Sequence, residues 1–171
     1  HVEQWIYNND ESAPQISKLR SLKFSSLVEG IVADEFKAKL YIAQERKGIW
    51  EINVNPTLPL NRKLIYKKNK YIKPDFEGLT LRDEANGKGQ LIASIQGSNG
   101  YLLLDRQNLS PSLFFRIIGG ETIDGTTETD GIDVSTISTE KFPKGFFIAQ
   151  DDDNDGLNQN FKIVNWQKIM K

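Results

Sequence analysis

The sequence has 171 residues, with 22 Lys and Arg against 23 Asp and Glu, a formal net charge of −1 and no cysteine. A chain of this length can bury a real core as one domain. Its balanced charge gives no reason to expect nucleic acid as a partner, and no apolar run is long enough to cross a membrane. Because there is no cysteine, disulfides, Cys-ligated zinc and thiolate nucleophiles are excluded. The one histidine is His1, so a Ser-His-Asp triad is excluded as well. Any catalysis must therefore use carboxylates, lysines, arginines and a metal.

The first 27 residues predict two strands joined by a turn. EQWIYN from Glu3 and LRSLKF from Leu19 have strand composition, and NNDESAP from Asn8 has the Asn, Asp, Ser and Pro of a turn.

Three repeats follow, and each begins with an acidic residue next to a glycine. The opening segments are VEGIVAD from Val28, FEGLTLRD from Phe76 and TDGIDVST from Thr129. The apolar runs that come next are KLYIAQE from Lys39, GQLIASIQG from Gly89 and GFFIAQDD from Gly145. The third pieces are GIWEINV from Gly48, GYLLLDR from Gly100 and NFKIVNW from Asn160. Equivalent positions recur roughly every 50 residues, a spacing typical of repeat architectures.

The repeated pieces are typical of β-strands, because they are short, rich in β-branched and aromatic residues, and bounded by Gly, Asn, Asp and Pro. LYIA, LIASI and FFIA are apolar on both faces, which predicts strands buried between packed sheets. A helical signal is confined to a single turn within residues 166–170. Repeats of this length with about four strands and no helices indicate β-propeller blades.

The expected fold class is therefore all-β, a β-propeller of four-stranded blades. Residues 1–27 would end a preceding blade, residues 28–75 and 76–128 would form one blade each, and residues 129–171 would form the last. This is about three and a half blades, whereas a six-bladed ring needs roughly 300 residues. The chain also has neither an initiator Met nor a signal peptide, which indicates a part of something longer. We expect missing amino-terminal blades, from the same or a second chain, to cover the open faces.

The opening acids of the repeats predict a metal site. Equivalent positions of successive blades lie on a circle around the channel, so Glu29, Glu77 and Asp130 should meet near the axis at one end. Asp75 should project from the same strand face as Glu77. Crowded carboxylates repel one another unless they are protonated or neutralised by cations, and bound Ca²⁺ is the simpler solution near neutral pH.

Two acidic loops lie in the last third of the chain. GETIDGTTETDGIDV, from Gly120, offers carboxylates, hydroxyls and flexible carbonyls of the kind that calcium prefers. DDDNDG from Asp151 has the opening of an EF-hand loop, but the twelfth position is Lys162 and no helices flank it, so an EF-hand is excluded. The sequence does not decide whether this segment is a calcium-binding surface loop or a solvated loop that binds no metal.

Two other groups of residues have simple structural interpretations. The lysines before the DFEG motif are expected to protect an outer strand edge rather than to bind phosphate. They are Lys63, Lys67, Lys68, Lys70 and Lys73. Trp5, Trp50 and Trp166 recur near strand ends and are expected to be packing anchors.

Several long motifs together carry a family resemblance. They are VEGIVADEFKAKLYIAQE, PDFEGLTL, GKGQLIASIQGSNGYLLLDRQ, DGTTETDGIDV, FFIAQD and NQNFKIVNW. In this order the chain resembles the β-propeller (alkaline) phytases from Val2 to Lys171, over the carboxyl-terminal half of a family member. The resemblance implies a six-bladed, calcium-dependent phosphatase that releases phosphate from phytate (myo-inositol hexakisphosphate). Several calcium ions at one end of the channel would bind substrate phosphates and activate a water.

The resemblance also implies roles for individual residues. The active-site calcium ligands would be Glu29, Glu45, Asp75, Glu77 and Asp130. Asp124 would bind a structural calcium ion, with Asp151 and Asp153 at the partner positions. Either Glu45 or Asp130 would orient the attacking water, and the sequence does not choose between them.

Two departures qualify the resemblance. The family's other calcium ligands and most of its phosphate-binding Lys and Arg belong to amino-terminal blades. Gln44 and Arg46 stand where the family is more acidic, which predicts weaker calcium binding or an added phosphate contact.

The alternatives are a non-catalytic, calcium-stabilised propeller module and another propeller hydrolase, such as a lactonase or phosphodiesterase. The family and the supply of calcium favour a secreted or periplasmic location.

Overall fold

The computed structural model describes residues 1–9 and 13–170, and over these residues the chain is almost entirely antiparallel β-sheet. Its strands are β1 (Val2–Asn8), β2 (Gln15–Leu22), β3 (Val28–Asp34), β4 (Lys39–Gln44), β5 (Gly48–Asn53), β6 (Lys63–Lys67), β7 (Phe76–Glu84), β8 (Lys88–Ile95), β9 (Gly100–Asp105), β10 (Pro111–Phe115), β11 (Ile132–Ser135), β12 (Phe146–Asp151) and β13 (Asn160–Asn165). A single helical turn, α1 (Trp166–Ile169), follows β13, as predicted. No helix in the described residues is long and apolar enough to cross a membrane.

The strands form a series of small meandering sheets. Two sheets have four strands each, in the orders β3-β4-β5-β6 and β7-β8-β9-β10. The last sheet has three strands, β11-β12-β13, and the first is the two-stranded hairpin β1-β2. Every neighbouring pair is antiparallel and consecutive in the chain, which is the arrangement of β-propeller blades. The predicted all-β propeller architecture, with about three and a half blades, is confirmed.

The cores lie between successive sheets rather than inside any one of them. One cluster joins β4 and β5 to β7, β8 and β9, a second joins β8 and β9 to β12, and a third joins β1 and β2 to β4 and β5. The second strands β4 and β8 are buried on both faces, as LYIA and LIASI predicted, whereas in β12 Phe146 and Ile148 are only partly buried, contrary to the prediction from FFIA. Tyr41, Ile42 and Ala43 of β4, for example, are 0% exposed. Each blade is therefore stabilised by its neighbours.

Some element boundaries differ from the sequence-based expectation. β2 begins at Gln15 rather than Leu19, because it pairs with β1 along its whole length. The turn expected over NNDESAP, residues 8–14, includes residues 10–12, which lie outside the described residues. Lys63 and Lys67 are exposed in β6, the outer strand of its sheet, in agreement with the edge interpretation. Of the tryptophans, Trp166 is buried, whereas Trp5 is 51% exposed.

Arginine side chains join the blades at the end opposite to the acidic residues. Arg20 donates to the carbonyl oxygen of Asn53 at 2.6 Å, and Arg82 donates to that of Lys144 at 3.0 Å. Arg82 also lies 4.4 Å from the centre of the Trp166 ring. These contacts join one sheet to the backbone of the next. They also give hydrogen-bond donors to carbonyl oxygens at the ends of the sheets.

The junction between the two four-stranded blades contains a buried ion pair. Arg106, after β9, donates from Nε and Nη2 to both carboxylate oxygens of Asp34, each at 2.8 Å, and both side chains are buried. Arg106 also contacts Asp83. Burial by itself would raise the pKa of Asp34, but the bonds from Arg106 and the Lys37 N–H hold it below its ordinary value. The Asp34 carboxylate therefore stabilises the fold above about pH 4, and this contribution is lost as the pH falls through the lowered pKa.

We predict that Arg106→Met lowers the free energy of unfolding by about 3–5 kcal/mol at neutral pH, because it leaves a buried, unpaired carboxylate. The double variant Asp34→Leu, Arg106→Met removes that charge and should recover most of the loss. Urea unfolding measures both variants. The difference between wild type and Arg106→Met should be smaller at about pH 3, below the ordinary pKa of an Asp carboxyl, because burial without Arg106 leaves Asp34 protonated in the variant. An equal loss at both pH values would contradict the assignment.

Candidate active site

The predicted axial acids lie at one end of the sheets. Glu29 and Glu77 sit where the first strands of their sheets have register shifts, between Val28 and Gly30 and between Phe76 and Leu79. Bulges of this kind bend a strand and re-aim its side chains. The other three acids flank strands at the same end. Glu45 follows β4, Asp75 precedes β7, and Asp130 lies two residues before β11.

Glycine is required beside these acids because the backbones approach closely. A Cβ atom at Gly30 would collide with the carbonyl oxygen of Glu77, and one at Gly78 would collide with that of Asp130. Each of these two glycines thus packs against the backbone of the acidic residue that opens the next repeat. Gly131, the third copy, has open space beside it, with its nearest neighbour 3.9 Å away. The two Glu-Gly pairs therefore allow close packing between neighbouring sheets, whereas the Asp130-Gly131 pair makes no such contact.

The structure brings all five predicted acids into electrostatic contact. Burial raises the pKa of Glu77 to about 7, and the charges of Glu29, Asp130, Asp75 and Glu45 add to the shift, in that order. The pKa of Asp75 is raised as well, mainly by burial and then by Glu45. The site therefore holds more negative charge than it can neutralise with its own residues.

Asp130 is the most firmly held of the acids. Gln96 Nε2 donates to its Oδ1 at 2.7 Å, and the Ser94 hydroxyl donates to its carbonyl oxygen at 2.9 Å. The side-chain oxygen of Gln150 accepts from its backbone N–H at 2.9 Å. Sequence reasoning did not identify these three supporting residues. The sequence did contain a signal for two of them. Ser94 and Gln150 each come directly after the alanine in the second strand of their repeat, as Gln44 does in the first repeat.

The axial site fits a hard cation by its chemistry, since carboxylate oxygens are the ligands that Ca²⁺ prefers and their mutual repulsion favours one. Within residues 1–9 and 13–170, however, no three His, Asp or Glu side chains converge tightly enough to hold an ion by themselves. The raised pKa values show that the acids feel one another's charge, while their side chains remain spread apart. We take both observations as describing an open, one-sided site.

The other predicted ligands form a separate cluster on the last blade. The ammonium group of Lys162 contacts Asp124 and lies 3.1 Å from Asp151 Oδ2. The bond from Lys162 lowers the pKa of Asp124. Asp151 Oδ2 is buried without a hydrogen-bond donor, whereas Asp151 Oδ1 accepts from the Thr127 N–H at 3.0 Å. Asp153 instead accepts from the Gly156 N–H at 2.9 Å, within its own turn. Lys162 thus supplies one positive charge to the two carboxylates of Asp124 and Asp151.

One basic side chain reaches the axial acids. Arg46 Nε lies 3.3 Å from Glu45 Oε1, and its charge opposes the rise in the pKa of Asp75. The Arg46 side chain is 76% exposed, so its remaining donors face solvent at the mouth of the site. A cation that is anchored but exposed next to carboxylates is suited to contacting an anionic ligand.

The fold and the site together define a class of protein: a partial β-propeller with carboxylates gathered at one end of its channel. A family profile described as Phytase matches residues 2–171, so the chain belongs to the phytase family, a family of hydrolases. It is 42% identical over 159 residues to the 3-phytase of Bacillus subtilis (strain 168), and the match covers 89% of this chain. The chain spans 42% of the length of that relative.

We predict that Gly78→Ala costs about 1–3 kcal/mol of unfolding free energy, because the added methyl group forces the backbones of β7 and Asp130 apart. Gly131→Ala is the matched control, since the same methyl group meets open space. Its effect should stay within about 0.5 kcal/mol. Urea unfolding of the 171-residue chain measures both variants, and equal losses would show that close packing is not why glycine is needed.

The raised pKa of Glu77 predicts a pH dependence for the metal-free chain. Between about pH 4.5 and 7 the folded state retains a proton on Glu77 that the unfolded state has lost. Stability should therefore fall as the pH rises through this range in the presence of chelator. Glu77→Gln keeps the shape of the side chain but removes the titration, so its unfolding midpoint should change less over the same range. Matching slopes for Glu77→Gln and wild type would exclude Glu77 as the source.

Proposed function

We propose that this chain supplies the carboxyl-terminal part of a calcium-dependent phytase site, which hydrolyses the phosphomonoesters of phytate. The observation that carries this proposal is the gathering of five acids at one end of the sheets, where the charges of four of them act on the partly buried Glu77. The other four are Glu29, Glu45, Asp75 and Asp130. A chain of the phytase family with this surplus of carboxylate charge is suited to holding calcium, whereas its substrate is itself strongly anionic. Cations between the two remove the repulsion on both sides.

The chain's own residues would take distinct roles. Glu29, Asp75 and Glu77 would hold cations, and Asp130 would orient the attacking water because Gln96 fixes one of its oxygens and leaves the other free. Glu45 is less suited to that second role, since Arg46 pairs with it. Bound calcium would supply charge neutralisation for phosphate oxygens and a lower pKa for water. No covalent intermediate is needed, in keeping with a sequence that has no cysteine and no histidine after His1.

The last blade would add a structural cation. Asp124 and Asp153 lie in two loops, and Asp151 ends β12; Thr127 joins the second loop to Asp151. The buried Asp151 Oδ2 accepts no hydrogen bond and has one cationic neighbour, Lys162 at 3.1 Å, which supports a further cation there. Such an ion would hold the loops that lead to Asp130. It would act on stability rather than on the reaction.

The rest of the site would come from further blades. The match covers 42% of the 3-phytase relative, so more than half of that relative lies outside it. The remaining blades would complete the calcium ligands and supply most of the Lys and Arg that bind phosphate. We further propose a secreted or periplasmic protein, because calcium is abundant outside the cell.

Calcium titration of the 171-residue chain by calorimetry tests the metal site. Glu77→Gln and Asp130→Asn should each weaken binding by at least about tenfold, because each removes a charged oxygen from the cluster. Glu35→Gln is the matched control, since Glu35 lies just beyond the opposite end of β3 and is exposed. A chain that binds no calcium, or variants that bind as wild type does, would refute the site.

Phosphate release tests the reaction. The chain joined to the unmatched part of the B. subtilis 3-phytase should release phosphate from phytate, and chelator should abolish this release. A lactone and a phosphodiester serve as comparison substrates. Preferential turnover of either would assign the site to another propeller hydrolase, and calcium binding without any turnover would indicate a structural module.

A further inference from the structure

A segment rich in lysine lies between the two four-stranded blades. Residues 67–73, which we call the lysine loop, have the sequence KKNKYIK and begin at the last residue of β6. The lysines of this loop and Tyr71 are exposed, and the next acid along the chain is Asp75. The loop therefore presents a block of positive charge to solvent.

Protection of a strand edge explains only part of this charge. Lys63 and Lys67 lie in β6, the outer strand of its sheet, whereas Lys68, Lys70 and Lys73 lie beyond the end of that strand. Among residues 1–9 and 13–170, no carboxylate lies within ion-pair distance of these last three lysines. Like charges that crowd together without partners cost stability, so such a cluster indicates a role in function.

The lysine loop runs from the outer edge of one blade to the acidic site. Lys67 pairs with Gly48 in the register of β5 and β6, so β6 ends at the same end of the sheet as Glu45. Three strand spacings separate β6 from β3, which places the end of β6 roughly 14 Å from the strand that carries Glu29. The chain then returns to Asp75, directly before the first strand of the next blade. Positive charge thus follows a path that ends at the axial acids.

Hydrogen bonds from both blades hold the lysine loop in place. Asn69 Oδ1 accepts from two backbone N–H groups within the loop, at 2.9 and 3.1 Å. The Lys68 N–H donates to the carbonyl oxygen of Lys47 at 3.1 Å, and the Ser98 hydroxyl donates to that of Lys73 at 3.2 Å. Because the backbone is already ordered, its charges need less reorganisation when they bind a ligand.

The charge of the loop complements that of the site. The axial acids repel an anionic substrate as long as no cation neutralises them. The lysine loop attracts the same substrate from the side of the blade, and Arg46, exposed next to Glu45, continues the positive charge toward the acids. Surfaces with one sign of charge raise the association rate of a ligand of the opposite sign, and salt weakens this effect.

We propose that the lysine loop captures a small molecule that carries several phosphates and guides it along the blade to the axial acids. This inference deepens the proposed function and rests on it for the destination of the ligand, whereas capture itself needs no calcium. A ligand with several phosphates contacts several lysines at once, and a single phosphate does not. The loop acts before the reaction, so its lysines take no part in hydrolysis.

Phytate binding to the 171-residue chain, in chelator and at low ionic strength, tests capture separately from catalysis. In nuclear magnetic resonance spectra, phytate should shift the backbone amides of residues 67–73 more than those of the rest of the chain. The loop triple variant, with Lys68→Gln, Lys70→Gln and Lys73→Gln, should weaken binding at least about tenfold because it removes three of the attracting charges.

A matched triple variant controls for the loss of net charge. It carries Lys63→Gln, Lys88→Gln and Lys144→Gln, three exposed lysines at the opposite end of the strands. This control should weaken phytate binding less than about threefold, since its charges lie away from the loop. Equal weakening by the two triples, or loop amides that do not shift, would overturn the proposal.

Two further ligands identify the class of molecule that the loop accepts. Inorganic phosphate should bind at least about tenfold more weakly than phytate, because one phosphate cannot reach several lysines. Equal affinities would overturn the requirement for several phosphates. Binding to phosphatidylglycerol vesicles without binding to phytate would assign the loop to an anionic membrane surface and overturn the proposal as well.

Phosphate release by the chain joined to the unmatched part of the B. subtilis 3-phytase tests guidance. With calcium at low ionic strength, the loop triple should lower kcat/KM for phytate at least about tenfold and leave kcat within about twofold. In about 0.5 M NaCl the loss should fall below about threefold, because salt screens the attraction. A loss of kcat, or a loss that salt does not reduce, would overturn guidance and indicate a structural role. Phytate binding at the loop without phosphate release overturns the proposed function and leaves capture standing, whereas release that the loop triple leaves unchanged overturns this inference only.

Discussion

The arrangement of this molecule depends on the close approach of neighbouring backbones at its axis. Gly30 and Gly78 allow the first strand of one blade to touch the residue that carries the next blade's acid. A side chain at either position would push the blades apart and widen the circle on which the carboxylates lie. The acidic site and the packing of the blades are therefore one feature, because the same dipeptide provides the carboxylate and the space beside it.

Gathering carboxylates in this way costs stability, and the structure shows where the cost is offset. At the axial end, burial and then the four neighbouring carboxylates raise the pKa of Glu77 and favour its protonation. At the opposite end, arginines join the blades, and Arg106 fully neutralises Asp34. The stable contacts and the destabilised site thus lie at opposite ends of the same strands. This separation leaves the acidic end free to exchange protons or cations while the other end maintains the fold.

The last blade and the first hairpin both expose surface that a propeller blade normally buries. On the last blade Gly131 has open space beside it, and none of the described residues pairs with the outer side of β13. Large apolar side chains remain exposed on the hairpin β1-β2 and on β13, including Tyr7, Ile16 and Phe161. Exposed apolar surface and unpaired edges are what a soluble protein normally covers. These exposed surfaces support the proposal that further blades complete the site.

The sequence by itself determined the all-β class, the repeat of about 50 residues and the acids that open each repeat, because strand composition and repetition are local signals. It also determined the family, since long motifs survive in order. It did not reveal the supporting residues Ser94, Gln96 and Gln150, whose contacts join positions far apart in the chain. Nor did it reveal the Arg106–Asp34 pair or the role of Lys162 beside Asp124 and Asp151. Only the tertiary structure decided these, because a hydrogen bond or an ion pair between blades depends on how the sheets stack, and no spacing along the chain encodes that distance.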